Sequence, residues 1–105
     1  MENTELPLVT VMIPCYNHEK YIKESIQSVI DQTYSRLELI VIDDGSKDNS
    51  VQKIEEMRLA CEQRFEYFQF VFRENRGLSR TLNQGLSLAR GEYFSIVASD
   101  DIMLP

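Results

Sequence analysis

An open, mainly parallel four-stranded sheet with flanking helices is the α/β fold that this 105-residue sequence predicts. Three observations lead there. Short runs rich in Val, Ile and Phe alternate with stretches of helical spacing. The runs are nearly continuous in apolar character rather than strictly alternating, as strands buried on both faces read. Each run also empties into a polar loop, and two of those loops begin with adjacent carboxylates.

Residues 1–7 carry neither periodicity and are expected to form a flexible arm. Leu8 to Ile13 is the first strand, and it runs out at Pro14-Cys15-Tyr16-Asn17-His18-Glu19. Ile22, Ile26, Val29 and Ile30 follow at the spacing of one helix face. Leu37 to Ile42 is the second strand, followed by Asp43-Asp44-Gly45-Ser46. Asp48, Asn49 and Ser50 offer N-caps to a single second helix through Val51, Ile54 and Met57. Phe68 to Phe72 is the third strand. Leu78, Leu82, Leu86 and Ala89 mark the third helix, with Gly91 where it should stop. Tyr93 to Ala98 is the fourth strand, ending at Ser99-Asp100-Asp101.

This β-α-β-α-β-α-β rhythm argues for right-handed βαβ units and helices packed on a parallel sheet. In such sheets ligands bind beyond the carboxyl ends of the strands. Pro14 to Glu19, Asp43 to Asp48, Arg73 to Gly77 and Ser99 to Asp101 should therefore surround one crevice.

Composition limits the function classes. An apolar content of 43% suits one small globular domain. A net charge of −6 gives no footprint for nucleic acid or an anionic membrane surface. Arg73, Arg76, Arg80 and Arg90 nevertheless cluster between the third and fourth strands, enough for one diphosphate. No apolar run approaches the roughly 20 residues of a membrane span. The first five residues lack the pattern of a signal peptide, so a cytoplasmic chain is expected. Cys15 and Cys61 form no CxxC pair, and His18 has no neighbour at metal-ligand spacing.

The motifs together resemble family 2 glycosyltransferases of the GT-A fold, whose nucleotide-binding half is Rossmann-like. The resemblance rests on Val9 to Glu19, Gln32-Thr33-Tyr34, Val41 to Asp48, Asn75-Arg76-Gly77, Asn83-Gln84-Gly85-Leu86, Ala89 to Tyr93 and Ser99-Asp100-Asp101, in that order. It covers nearly everything from Leu8 onward, so residues 8–105 read as the nucleotide-sugar-binding part of such a domain.

The resemblance implies roles residue by residue. Pro14, Tyr16, Asn17 and Glu19 would form one wall of the nucleotide pocket, with the Glu19 carboxylate on base or ribose. The same loop also reads as a plain turn, since Pro fixes φ and Asn bonds its own backbone. Asp44 would accept a hydrogen bond from a nucleobase imide or amide, with Asp43 turned toward the pocket wall or the supporting loop and Gly45 permitting the sharp exit. Asn75, Gly77 and Asn83 would pack below the donor, and Arg80 would pair with its diphosphate. Gly85 inside a helix costs roughly 1 kcal/mol against Ala, so a close approach of helix to sheet should compensate.

Ser99, Asp100 and Asp101 stand where the family carries a DxD element of usual form Asp-x-Asp-Asp, with Ala98 here replacing the first carboxylate. Asp100 and Asp101 would hold Mn²⁺ or Mg²⁺ together with donor phosphate oxygens, Ser99 and Asp100 flanking the sugar nucleotide. The implied activity is inverting transfer of a sugar from a nucleotide donor, a UDP-sugar by family habit, to an acceptor glycan or lipid-linked sugar. The resemblance puts the general base beyond Pro105. This chain is thus expected to be a donor-binding portion that performs no transfer alone and, in the full-length protein, works at the inner face of the membrane. An open sheet edge and uncovered helix faces should favour a homodimer.

Of two other classes, one fits less of the sequence and one fits it equally. A receiver-type phosphoacceptor domain wants its acidic pair after the first strand and another Asp after the third, where this chain has Pro14-Cys15-Tyr16-Asn17 and Arg73-Glu74-Asn75. A non-catalytic nucleotide-sugar-binding module would share every motif named above.

Overall fold

A computed structural model describes residues 6–98. Among these, strands and helices follow in the order β1 (Val9–Cys15), α1 (Ile22–Ile30), β2 (Leu37–Asp44), α2 (Ser50–Glu56), α3 (Arg58–Arg64), β3 (Tyr67–Arg73), α4 (Leu78–Leu88) and β4 (Tyr93–Ile96). All strand pairs are parallel, in the spatial order β3-β2-β1-β4. The open parallel α/β sheet expected from the sequence is therefore present. Strand addition runs outward from β1 through β2 to β3 and then reverses, placing β4 on the other side of β1. That reversal is a topological switch point.

The helices divide accordingly. On one face Val11, Ile13, Leu39 and Val41 pack with Ile22, Ile26 and Val29 of α1, Ile54 of α2 and Cys61 of α3. On the other, Met12, Ile40 and Ile42 pack with Leu82 and Leu88 of α4 and with Phe94. Successive strand residues face opposite sides, so both faces of β1 and β2 need apolar residues. Every residue of β2 is buried. The outer strands are not, and Phe72 and Tyr93 stand 63% and 61% exposed. Burial on both faces thus holds for the two central strands only.

Several boundaries differ from expectation. Strand β2 continues through Asp43 and Asp44, pairing Asp43 with Cys15 and Phe72, and Asp44 with Arg73. The carboxylates are therefore strand residues. Strand β4 stops at Ile96, although the Val97 N–H still donates to the Met12 carbonyl. The single second helix is two, α2 and α3, parted at Met57. Residue Met57 keeps helical dihedrals, but its N–H reaches the Ile54 carbonyl, which tightens one turn.

Glycines mark two close approaches. A Cβ on Gly85 would lie 2.7 Å from Cγ of buried Met12, which is the expected seating of α4 on the sheet. Gly91 does not cap α4, which ends at Leu88 with Ala89 extended. Its role is to lie against β1, where a Cβ would come 2.7 Å from both the Thr10 N and the Leu8 carbonyl oxygen. At the N-terminus, the Leu6 carbonyl accepts from Arg36 and the Pro7 carbonyl from the Tyr34 hydroxyl. Of the arm expected over 1–7, residues 1–5 lie outside the described residues.

Candidate functional site

Facing rules decide which carboxylate meets which side. Glu38, Ile40, Ile42 and Asp44 share the α4 face of β2, whereas Asp43 belongs to the opposite face. Asp43 accordingly turns back on its own loop and accepts from the Ser46 N–H (2.8 Å) and hydroxyl (2.5 Å).

Asp44 faces α4 and collects donors from the third loop. Its Oδ1 accepts from the Arg73 guanidinium and, at 2.8 Å, from the Arg76 N–H; Oδ2 accepts from the Gly77 N–H at 3.0 Å. Burial works to raise its pKa, but the Arg76 N–H, the Arg73 side chain and the Gly77 N–H outweigh it and hold the carboxyl below the usual range. Arg73 is fixed in turn by Gln84 Oε1 and Thr81 Oγ1, each at 2.7 Å. The loop can come this close because residue 45 is glycine. Its φ is +77°, and a Cβ there would lie 2.5 Å from the Asn75 N.

The first and second loops are laced together. Asn17, at φ 54°, accepts at Oδ1 from the Lys47 N–H (2.8 Å) and donates its own N–H to Ser46 Oγ (2.8 Å). Its side chain therefore bonds the neighbouring loop and not its own backbone. Asp48 Oδ2 accepts from the Glu19 N–H, and Oδ1 from both the Ser50 N–H and hydroxyl. Asn49, although it stands at the N-cap, makes no side-chain cap bond.

Between these loops and α4 lies a cleft of about 590 Å³. Pro14, Cys15, Tyr16 and His18 line it from β1 and the loop after it, Asp44 from β2, Asn75, Gly77, Leu78, Thr81 and Leu82 from the third loop and α4, and Ile96 and Ala98 from the end of β4 and just beyond it. It thus opens at the carboxyl edge of the sheet, beside the switch point. Tyr16 is 40% exposed, an aromatic face at the mouth.

Of the residues singled out in the sequence, Pro14, Tyr16, Asp44, Asn75 and Gly77 meet here. Asn17, Asp43 and Gly45 build the wall without lining it. Glu19 and Asn83 are not among the lining residues. Arg80 lies on the far side of α4, in a separate groove of about 350 Å³ with Arg73, Arg76 and Gln84. Ser99, Asp100 and Asp101 lie outside the described residues. Among the described residues no group of three or more His, Cys, Asp or Glu comes together for a metal, and the Asp44 carboxylate already accepts from three donors of its own chain.

Thr81, and the part Arg73 plays as partner of Asp44, were not foreseen. The signal for Arg73 was available: a cation ending an apolar strand, in parallel register with Asp44 on the next.

The family model of glycosyl transferase family 2 matches residues 10–105. The chain belongs to that family. A glycosyltransferase of Rickettsia typhi is 41% identical over 104 residues, covering 99% of this chain and 30% of its own length. Among solved structures, the mannosyltransferase PcManGT from Pyrobaculum calidifontis, in complex with GDP-Man and Mn²⁺, superposes with a TM-score of 0.86 at 28% identity. That match spans 99% of this chain and 30% of PcManGT. TarS 1-349 of S. aureus in complex with UDP-GlcNAc gives 0.78 at 31% identity over 90% of this chain and 27% of that 1-349 chain. The chain therefore spans about a third or less of the length of these family members.

Proposed function

We propose that the cleft is the donor site of a sugar transferase and takes the nucleotide of a nucleoside diphosphate sugar. The observation that carries this reading is Asp44: an ionised, oriented carboxylate at the cleft wall, with acceptor capacity left on Oδ2 beyond its bond from Gly77. Such a group selects a base whose ring nitrogen carries a proton, as in uracil or guanine. It repels one presenting a bare ring nitrogen there, as cytosine does. That UDP-GlcNAc is bound by TarS and GDP-Man by PcManGT supports the same choice.

Tyr16 and Pro14 supply the apolar wall for the base, and the Gly77 backbone leaves room below it. Asp100 and Asp101 would hold Mn²⁺ or Mg²⁺, which would neutralise charge on the departing diphosphate. In the whole protein the transfer is inverting: an acceptor hydroxyl, on a glycan or lipid-linked sugar, attacks the anomeric carbon opposite the leaving diphosphate and gives its proton to a carboxylate base.

Calorimetric titration of the chain with UDP, GDP and CDP, with and without Mn²⁺, tests the reading. UDP or GDP should bind at least about tenfold more tightly than CDP. The metal-dependent part of that affinity should vanish in an Asp100→Asn, Asp101→Asn double variant. A chain folded by circular dichroism that binds CDP equally well, or binds none of the three, overturns it.

A further inference from the structure

The arginine cluster seen in the sequence divides in space. Arg90 departs to the other end of the sheet, where its guanidinium stacks over Tyr67 at 4.4 Å and approaches Glu38. Arg73, Arg76 and Arg80 remain together and line the 350 Å³ groove with Gln84. At 100° per residue Arg80 and Gln84 lie on the side of α4 away from Leu78 and Leu82, which line the cleft, with Thr81 between the two sides. The two recesses share no residue.

Charge accounting makes this groove unusual. In a chain of net charge −6, Arg36 pairs with Glu66, Arg58 with Glu55, Arg73 with Asp44 and Arg90 with Glu38. Arg64 is spent on the carbonyls of Ile30, Gln32 and Tyr34. Arg76 and Arg80 have no such side-chain partner among the described residues, and both are exposed. The two uncommitted guanidinium groups thus line the same recess, Arg76 from the loop before α4 and Arg80 from its first turn. Beside them, Arg73 is held rigid by Asp44, Gln84 and Thr81.

We propose that this groove is a second anion site, distinct from the donor cleft, and that it takes a phosphomonoester through the side chains of Arg76 and Arg80. Two guanidinium forks converging on one recess match the oxygens of a tetrahedral phosphate, which each can bind in a bidentate way. Arg73 adds positive potential without changing partners. Two extra positive charges within reach favour the dianion over neutral ligands, and a recess rather than a flat patch favours a compact headgroup over an extended polyanion.

Inorganic phosphate is the probe. It is titrated at constant ionic strength while the Nε–Hε signals of Arg76 and Arg80 are followed by NMR, with and without saturating UDP. Both signals should shift saturably, whether or not UDP is present. Arg76→Gln with Arg80→Gln should weaken binding about tenfold or more. A charge-matched control, Lys23→Gln with Arg58→Gln, should leave it nearly unchanged. No saturable shift, a response that moves to the amides of Asp44 and Gly77 and disappears with UDP, or an equal loss in the control overturns the proposal. Sedimentation with phosphatidylcholine vesicles, with and without phosphatidic acid, identifies the source. Capture by the acidic vesicles that Arg80→Gln abolishes marks a lipid headgroup, and phosphate binding without capture marks a soluble phosphomonoester; both support the site.

Discussion

Strand β2 carries a buried carboxylate at each end, and the two ends do different work. At the amino end Glu38, 0% exposed, accepts from the Thr10 hydroxyl and the Arg90 N–H, each at 2.8 Å, and Thr10 Oγ1 accepts in turn from the Gly91 N–H. At the carboxyl end Asp44 accepts from Arg73, Arg76 and Gly77. Each carboxylate ties a helix-flanking loop to the sheet, and each needs a glycine beside it: Gly91 against the backbone of β1, Gly45 against the backbone of Asn75. The difference lies beyond the network. Around Glu38 the chain closes completely, whereas Asp44 opens onto a cleft. The same device serves architecture at one end and, at the other, architecture that also presents an oriented anion to a ligand.

Breaking the glycines should have the largest effect, at both ends alike. Gly45→Ala combines a left-handed φ with a backbone clash and should cost about 3 kcal/mol or more. Gly91→Ala, strained only by proximity, should cost about 2 kcal/mol. Urea unfolding of the two variants measures both, and a Gly45→Ala loss below that of Gly91→Ala would undo the account of the third loop.

Exchanging each carboxylate for its amide sharpens the contrast. Asp44→Asn and Glu38→Gln each place a donor where a donor already points, so each should lose about 1–3 kcal/mol. Their effects on ligand should separate. UDP affinity should fall about tenfold or more in Asp44→Asn, yet change less than about twofold in Glu38→Gln, which lies roughly 20 Å away along the strand. Equal losses of affinity would mean that binding reports stability and nothing local.

Acid titration gives a smaller effect. Asp44 has a folded pKa below its unfolded value, so the folded state releases the proton more readily. Its contribution is fully present above the unfolded pKa, near pH 4, and is lost as pH falls through the folded value. Unfolding free energy measured from about pH 5 to 2 should decline less steeply in Asp44→Asn than in the parent. Smallest of all, Arg73→Lys keeps the charge but loses the fork that holds Asp44, Thr81 and Gln84 together. It should weaken UDP binding by about threefold, less than Asp44→Asn, because two backbone amides still orient the carboxylate.

The sheet and its helices were legible because period and punctuation coincide in this sequence. The apolar faces of α1 and α4 and the runs of β1 and β2 leave few alternatives. The break between α2 and α3 was not legible, since Ile54, Met57 and Cys61 keep helical spacing straight across it and neither Gly nor Pro marks it. The end of β2 was misjudged because carboxylates read as loop, while parallel pairing with Cys15, Phe72 and Arg73 carries them in the strand. At the site, the loops that converge were readable from topology. Which face of α4 meets the sheet was not, and that puts Arg80 in the other groove. The turn of Asp43 to its supporting loop and of Asp44 to the cleft was among the readings the resemblance implied. Glu38 was passed over inside an apolar run, its partners Thr10, Gln69 and Arg90 being distant in sequence.

The most direct test of a ligand site at one end of β2 and not the other is a ¹⁵N NMR titration of the chain with UDP in the presence of Mg²⁺. The account predicts that the amides of Tyr16, Asp44, Gly77 and Thr81 shift together along one saturable curve while those of Thr10, Glu38 and Gly91 stay in place. Shifts centred on Glu38 and Gly91, or spread evenly over both ends of the sheet, would contradict it.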